Sequence, residues 1–240
     1  NFATIVAAVE QGRATFANAR RFLTYHLTDN VAELTPFAIW ALSGGRFPLA
    51  LGVLQILALD IGTDTLSAAA LGGEPAGPHV MTQPPSSGRL LNRTVAFRAF
   101  GVLGPTEALF EMTAFVVALW LAGWRIGDTF PTGAPLYAAS GAAFMTVVIA
   151  QSANAFACRS VRRPAWQLGW LTNRFLIVSV LIEVGFAFAV IAIPAAARLL
   201  DQDWPPAETW IVIVAAAPAV LLVDAAWKRA VRKRSTTTTR

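Results

Sequence analysis

The chain has 240 residues, of which 55% are hydrophobic and 14% are charged, whereas ordinary globular chains carry roughly 25% charged residues. This composition excludes an ordinary soluble domain and predicts an integral, multi-pass membrane protein. The single cysteine, Cys158, excludes an internal disulfide and a thiolate metal cluster, and we expect it to serve packing. The net charge of +5 does not indicate nucleic-acid binding, because the basic residues flank apolar segments instead of covering a soluble surface.

Residues 1–21 predict a cytoplasmic helix that runs into the first membrane span. Hydrophobic side chains recur there at roughly helical spacing among charged ones; they are Ile5, Val6, Val9, Phe16 and Phe22. The chain begins at Asn1, without an initiator methionine or the apolar core of a signal peptide. We therefore expect it to be part of a longer protein.

Six segments of residues 22–227 are apolar and about 20 residues long, which is the length that crosses a bilayer. Their predicted bounds are 22–42, 51–71, 95–121, 136–158, 171–194 and 209–227. Six crossings place both termini on one side. Arg46, Arg125 and Arg198 fall on one side of the membrane and the remaining Lys and Arg residues on the other, so both termini are expected in the cytoplasm. The predicted fold is an all-α bundle of six transmembrane helices.

The connections between these spans differ in composition. Residues 72–92 are rich in proline, glycine and serine, which predicts an irregular cytoplasmic loop in which His79 is inert. Residues 201–206 (DQDWPP) predict a short external turn. Residues 228–240 form a basic tail that we expect to be disordered, with the Lys228–Arg234 cluster contacting anionic lipid headgroups.

Acidic residues lie inside the predicted spans, where each costs on the order of 2.5–3.5 kcal/mol on insertion scales. The first two spans contain four of them, and these are Asp29, Glu33, Asp60 and Asp64. No lysine or arginine lies mid-span in either segment. These acids therefore need another partner, which could be a shared proton or a cation.

The DIGTD segment favours the cation. Asp60 and Asp64 are four residues apart and share one helical face, while Gly62 loosens the helix between them and Thr63 offers a hydroxyl and a carbonyl oxygen. Clustered oxygens of this kind are ligands for hard cations. The alternative is that the acids are protonated and only hydrogen-bond between helices.

Other polar residues carry less information. Three further acids are explained at least as well by protonation and hydrogen bonding between helices, and their roles stay open. They are Glu107, Glu111 and Asp224. His26 lies beside Tyr25 on the first span and reads as a packed or interfacial side chain.

Several segments resemble the last six transmembrane helices, numbers five to ten, of type II P-type ATPases. Segments similar to the fifth and sixth helices are YHLTDNVAELTPF and QILALDIGTDTLSAAALGGEP. Segments similar to the eighth and ninth helices are VVIAQSANAFACRS and NRFLIVSVLIEVGFAFA. The similarity is to sodium/potassium and proton/potassium pumps and, somewhat less, to calcium pumps. It implies that residues 1–21 are a stalk leading from a phosphorylation domain and that residues 22–227 are the cation-transport domain.

The resemblance also implies a set of cation ligands. The matching positions are Asn30, Glu33, Asp60, Thr63, Asp64, Gln151 and Asn154. A secondary ion site of the sodium/potassium pump is matched by Tyr25, Thr28 and Glu183. Three positions depart from that pump, since Asn154 stands in place of aspartate, Asp29 in place of serine and Ser67 in place of a common proline. The first two departures, at Asn154 and Asp29, put a third sodium site in doubt.

The function that the resemblance implies is the ion-binding half of an ATP-driven cation pump working by alternating access. The chain has no DKTGT, TGES or GDGxND motif, so ATP and Mg²⁺ are expected to bind in other domains, and this piece alone is not expected to hydrolyse ATP. Calcium and sodium rank equally as the cargo, ahead of potassium, protons and magnesium. A plasma-membrane location is expected, with lipid and the rest of the polypeptide as partners and accessory subunits left open.

Two alternatives use the same residues differently. One is a secondary transporter or channel in which the acids relay ions down a gradient. The other is a membrane scaffold that does not transport.

Overall fold

The computed structural model describes residues 1–77, 80–82 and 89–237, with side chains placed through residue 233. Within these ranges the chain is helical and forms no strand, which confirms the all-α prediction. The centre of the predicted cytoplasmic loop, including His79, and the last three residues lie outside the described residues.

Nine α-helices make up the described chain. They are α1 (Phe2–Leu42), α2 (Val53–Leu59), α3 (Thr65–Gly72), α4 (Arg93–Arg98), α5 (Gly104–Leu121), α6 (Ala134–Cys158), α7 (Arg174–Ala192), α8 (Pro194–Leu199) and α9 (Trp210–Thr237). Two π-helical segments, Asp60–Asp64 and Ala99–Leu103, join α2 to α3 and α4 to α5. Each of these pairs therefore forms one continuous, locally widened helix.

Five helical segments of the described chain are long and apolar enough to cross a membrane. Their bounds are Val53–Gly72, Arg93–Leu121, Ala134–Cys158, Arg174–Ala192 and Ala207–Lys233. They coincide with the second to sixth predicted spans, with ends that differ by at most three residues except at the last, which runs on past the predicted residue 227. The first predicted span lies in α1, which is not among the five, so the six-span count and the sidedness stay predictions.

Helix α1 is one uninterrupted helix of 41 residues that contains the predicted stalk and the predicted first span. Asn1 caps it, since its side-chain oxygen accepts a hydrogen bond from the backbone N–H of Ala3 at 3.2 Å. A helix of this length extends roughly 60 Å at 1.5 Å per residue. A displacement at the stalk can therefore be carried directly to the polar residues in the second half of the helix.

Helix α6 lies at the centre of the bundle. In its most apolar window 89% of the residues are buried, against 33–50% in the other four apolar segments. Small side chains make this possible, because alanines on α6 let α1, α5, α7 and α9 pack closely around it. The buried hydrophobic core includes Phe115 and Leu119 of α5 and Phe144 and Met145 of α6.

Three buried charges connect α4 and α9 at the predicted cytoplasmic end, and we call them the inner ion triad: Arg98, Asp224 and Lys228. Arg98 Nη2 lies 2.6 Å from one carboxylate oxygen of Asp224, and Lys228 Nζ lies 2.5 Å from the other. Both basic groups also donate to the carbonyl oxygen of Ala157 at 2.9 Å. The triad assigns a structural role to Asp224.

Residues 228–237 differ from the expected tail in two respects. Lys228 is 3% exposed and pairs with Asp224, so it does not contact lipid headgroups. Helix α9 continues through Thr237, so residues 228–237 are helical where disorder was expected. The sequence suggested disorder from the polar composition of STTTTR, but helix propagation from a long apolar segment extends into the tail.

A second buried contact at this end holds α1 against the end of α3. The side-chain amide of Asn18 donates to the carbonyl oxygens of Gly72 and Glu74 at 2.9 and 2.7 Å. The Glu74 carboxylate in turn accepts from Arg159 at 2.8 Å and from Asn173 at 2.6 Å. The predicted stalk is thereby connected to three of the apolar helices.

Candidate cation-binding site

Three carboxylates from α1 and the π-helical segment between α2 and α3 meet inside the bundle. One oxygen of each of Glu33, Asp60 and Asp64 lies within 4.8 Å of the others; we call these residues the acid cluster. Glu33 and Asp64 are 2% and 0% exposed, whereas Asp60 is half-buried. The predicted convergence of these three residues is therefore present.

The local backbone explains how two aspartates on one turn can face the same place. The DIGTD segment is π-helical, which is the loosening expected from its glycine, and such single turns occur frequently at functional sites. Gly62 faces Phe186 of α7 so closely that an added Cβ would overlap the ring. A larger residue at position 62 would therefore push the segment away from α7.

Neighbouring side chains orient the acid cluster. Gln151 of α6 donates to Glu33 Oε1 at 2.9 Å. The Thr63 hydroxyl lies 3.0 Å from Asp64 Oδ1 and 2.7 Å from the carbonyl oxygen of Leu59. Gln151 and Thr63, both expected at the site, thus contact the acids directly.

Asn154 has a different immediate role from the one the resemblance implies. Its amide nitrogen donates to Asp29 Oδ1 at 3.0 Å, and its amide oxygen lies 3.3 Å from Cys158 Sγ. Asn154 therefore positions Asp29, a fully buried acid that the ligand set left out. Cys158 is buried and free, as expected for a packing residue.

His26 also lies closer to the acids than the sequence suggested. One ligand atom each of His26, Asp29 and Asp64 lie within 4.8 Å of one another. The histidine ring stacks on Phe22 with 5.4 Å between ring centroids. His26 and Asp29 are three residues apart, and this spacing places them on one helix face. A lone histidine, however, carries too little information for this contact to be predicted from the sequence.

All three residues matched to a secondary ion site are buried. The Thr28 hydroxyl donates to the carbonyl oxygen of Thr24 at 2.8 Å, and Tyr25 is 0% exposed. Glu183 accepts from the backbone N–H of Ser67 at 3.1 Å. A proline at position 67 has no N–H, so the departure at Ser67 creates this bond between α3 and α7.

Asn30 lies on α1, one turn before Glu33, and is half-buried. It therefore lies on the same helix as Glu33, one member of the acid cluster. Its predicted role as a ligand remains a prediction.

The acid cluster is not neutralised by the basic residues that the described chain buries. The ion pairs formed there join Asp224 to Arg98 and Lys228, and Glu74 to Arg159. None of these pairs includes the acid cluster. An uncompensated buried carboxylate is strongly unfavourable, and a bound cation would offset that cost.

Comparisons with known proteins identify the family to which the chain is similar. Residues 48–230 match the family model described as Cation transporting ATPase, C-terminus. The chain is 31% identical over 234 residues to the probable cation-transporting ATPase F of Mycobacterium tuberculosis, which covers 94% of this chain and 24% of the relative.

Two relatives from animals are similar over the same region. The human sodium/potassium-transporting ATPase subunit alpha-3 is 30% identical over 215 residues, covering 78% of this chain and 21% of the relative. The rat subunit alpha-2 is 29% identical over 238 residues, covering 88% and 23%. The chain thus spans about a quarter of the length of the curated relatives it matches. It belongs to the family of cation-transporting ATPase C-terminal regions, the membrane part of P-type ATPases.

Proposed function

We propose that this chain is the cation-binding membrane part of an ATP-driven pump that moves calcium or sodium across the membrane by alternating access. The observation that carries the proposal is the acid cluster, in which oxygens of Glu33, Asp60 and Asp64 lie within 4.8 Å of one another. Ligand oxygens lie about 2.3–2.6 Å from a bound Ca²⁺, so two ligands of one ion are at most about 5 Å apart. The spacing in the cluster suits a single ion.

The cation and the cluster stabilise each other. Carboxylate oxygens replace the hydration shell of the ion, and the charge of the ion offsets the cost of burying the acids. Gln151 and Thr63 supply further oxygens beside the acids, Asn30 is proposed as an additional ligand, and Asn154 acts through Asp29. The secondary group of Tyr25, Thr28 and Glu183 stays a proposal as an ion site, in which Thr28 and Glu183 hydrogen-bond to the backbone.

Alternating access requires two states with different cation affinities. Helix α1 carries both the stalk and Glu33, whereas Asp60 and Asp64 belong to the segment between α2 and α3. A push or rotation at residues 1–21 would move Glu33 relative to the aspartates and so change the ligand distances. We propose that phosphorylation of a cytoplasmic domain, where ATP and Mg²⁺ would bind, drives this motion.

The proposed setting follows the sequence analysis. Six spans cross the plasma membrane with both termini in the cytoplasm, lipid surrounds the helices, and the remaining helices of the same polypeptide complete the transport domain. The names of the relatives support a pump over a gradient-driven transporter or channel. Active transport that persists without ATP, driven by an ion gradient alone, would favour the transporter.

The test neutralises the acid cluster in the whole pump. Glu33→Gln and Asp64→Asn should each reduce cation-stimulated ATP hydrolysis and phosphorylation at least 100-fold, because the ligand charge is lost while the side-chain shape is kept. ATPase activity would be measured with calcium, sodium, potassium, magnesium and manganese in turn, which also identifies the cargo. Glu208→Gln, at an exposed position, is the matched control.

Wild-type cation dependence in both variants would refute the site. Loss of activity in the Glu208→Gln control as well would show that the loss is not specific to the acid cluster.

A further inference from the structure

A histidine and two aspartates lie close together beside Glu33 and Asp60, and we call them the His26 group: His26, Asp29 and Asp64. One ligand atom of each lies within 4.8 Å of the other two. Both aspartates are 0% exposed, and His26 is half-buried. No ion pair of the described chain includes His26. The three groups therefore converge without bonding to one another.

Each aspartate of the His26 group is held through one oxygen. Asn154 donates to Asp29 Oδ1 at 3.0 Å, and the Thr63 hydroxyl lies 3.0 Å from Asp64 Oδ1. The imidazole is held by Phe22, since the two rings stack with 5.4 Å between their centroids. Metal ligands in proteins are ordinarily oriented by outer contacts of this kind, which leave the coordinating atom unused.

The unused atoms of the group are the observation that points to a ligand. His26 Nδ1, Asp29 Oδ2 and Asp64 Oδ2 are all buried, and none has a hydrogen-bond partner in the described chain. Buried polar atoms are ordinarily hydrogen-bonded, so three unpartnered atoms on three neighbouring groups require an explanation. A single cation would satisfy all of them, because carboxylate oxygens and a neutral imidazole nitrogen each offer a lone pair.

The imidazole indicates the kind of cation. Calcium takes oxygen ligands, whereas imidazole nitrogen suits transition metals. His26 and Asp29 are three residues apart on α1, which is the spacing of the carboxylate and histidine pairs that hold iron and manganese in helix bundles. Bonds of about 2.0–2.2 Å put two ligands of one metal ion at most about 4.4 Å apart, so the three atoms need to approach by at most about 0.4 Å.

We propose that the His26 group binds a divalent transition-metal cation, with His26 as the nitrogen ligand, and that such a cation is a cargo of the pump alongside calcium. The inference rests on the proposed function and extends the substrate class of the same site. Asp64 belongs to both the acid cluster and the His26 group. The ion concerned is therefore the one that Asp64 holds, and the two kinds of cation compete for it.

The first test asks whether bound metal contacts the histidine. Manganese(II) would be titrated into the purified whole pump, and pulsed electron paramagnetic resonance would detect a directly bound nitrogen-14. We expect the nitrogen coupling in wild type and its loss in His26→Asn, which offers an amide oxygen in place of the imidazole nitrogen. The control is His79→Asn, at the other histidine of the chain, and it should keep the coupling.

The second test compares two cations on the same variants. His26→Asn should lower manganese affinity about tenfold or more and change calcium affinity less than twofold, since calcium does not need the nitrogen. The retained calcium binding shows that the variant is folded. Asp29→Asn should also lower manganese affinity about tenfold, while the manganese that binds keeps its nitrogen coupling. In wild type, manganese should displace calcium-45 competitively.

Transport is measured with manganese-54 in sealed vesicles supplied with Mg-ATP. Wild type and His79→Asn should accumulate it, and His26→Asn should accumulate at least tenfold less at subsaturating manganese.

Several results would overturn the inference. One is wild-type pump that binds calcium or sodium but neither binds nor accumulates manganese. Another is nitrogen coupling that is absent in wild type, because the imidazole then serves the aspartates without contacting metal, or coupling that persists in His26→Asn. An equal loss of calcium and manganese affinity in His26→Asn would show a general effect on folding or packing, and would also overturn the assigned role of His26.

The outcomes separate this inference from the proposed function. If Glu33→Gln leaves cation dependence at the wild-type level, the proposed function fails at the acid cluster. If Glu33→Gln abolishes it and bound manganese shows no coupling to His26, only the transition-metal cargo is wrong.

Discussion

The acid cluster and the inner ion triad use the same kind of residue in opposite ways. In the triad, Asp224 is 1% exposed and contacts both Arg98 and Lys228 within 2.6 Å. In the acid cluster, Asp64 is 0% exposed and lies among other acids. Both aspartates are buried, but among the residues that the structure describes only the first has a counter-charge.

The difference shows how the role of a buried acid can be inferred from its neighbours. An acid that the protein neutralises with its own basic residues stabilises one arrangement of helices, and its charge is present in every state. An acid without such a partner depends on a group that arrives from outside, so its environment can change during a cycle.

The largest effect is expected from breaking the triad. Asp224→Asn should lower the free energy of unfolding by about 3–5 kcal/mol, because two buried positive groups lose their common counter-charge. Thermal unfolding in detergent, with and without the transported cation, would measure the loss, which should be the same in both conditions. Replacing all three residues with hydrophobic ones (Arg98→Met, Asp224→Leu, Lys228→Met) should recover most of it.

An unchanged melting temperature in Asp224→Asn would contradict this structural role. A loss that disappears when cation is added would instead place Asp224 with the cation ligands and remove the contrast between the two regions.

An intermediate effect is expected where the acid cluster is shaped by packing. Gly62→Ala should lower stability by about 1–3 kcal/mol, since overpacking forces neighbouring groups apart, and it should weaken cation binding about tenfold by moving Asp60 relative to Glu33. Cation titration of ATPase activity and thermal unfolding would measure both. Gly185→Ala on α7 is the matched control, because an added Cβ there meets nothing within 4 Å.

If Gly62→Ala and Gly185→Ala behave alike, the close contact with Phe186 does not shape the site. Combining Gly62→Ala with Phe186→Leu should restore part of the affinity, because the smaller side chain makes room for the added methyl group.

The smallest effect is expected from neutralising an acid beside the cluster. Asp29→Asn should raise stability without cation by about 1 kcal/mol, which corresponds to roughly 2–4 °C in melting temperature for a chain of this size. It removes repulsion from the neighbouring acids and keeps an oxygen for Asn154. The rise should shrink in saturating cation, where the ion already offsets the negative charge.

Asp128→Asn, in an exposed turn, should leave the melting temperature unchanged in both conditions. A melting temperature that falls in Asp29→Asn without cation would show that the acids around Asp29 are already neutral. The acid cluster would then not differ from the inner ion triad in carrying uncompensated charge.

Some features of the site could be predicted from local sequence. The spacing of Asp60 and Asp64, with Gly62 between them, predicted a loosened turn with both acids on one face, and the π-helical segment confirms it. The apolar lengths gave five of the helices that can cross a membrane. Both signals depend on residues within one or two turns of each other, so the sequence contains all the information they need.

Contacts between distant segments could not be predicted in the same way. Arg98 and Asp224 are 126 residues apart. From the sequence alone, Arg98 is a basic residue near the end of a predicted span, and Asp224 is an acid whose role stays open. The bond from Ser67 to Glu183 and that from Asn154 to Asp29 likewise join different helices. Which buried polar groups become partners depends on the rotation and depth of each helix.

The sequence by itself determined that the chain is a helical membrane protein with acids at membrane depth, because length, hydropathy and acid spacing are properties of single segments. Only the tertiary structure decided which acids have a counter-charge and which have none. Helix packing selects those partners through side-chain contacts between segments far apart in the chain. The two kinds of buried acid, equivalent along the sequence, are therefore distinguished by the helices that surround them.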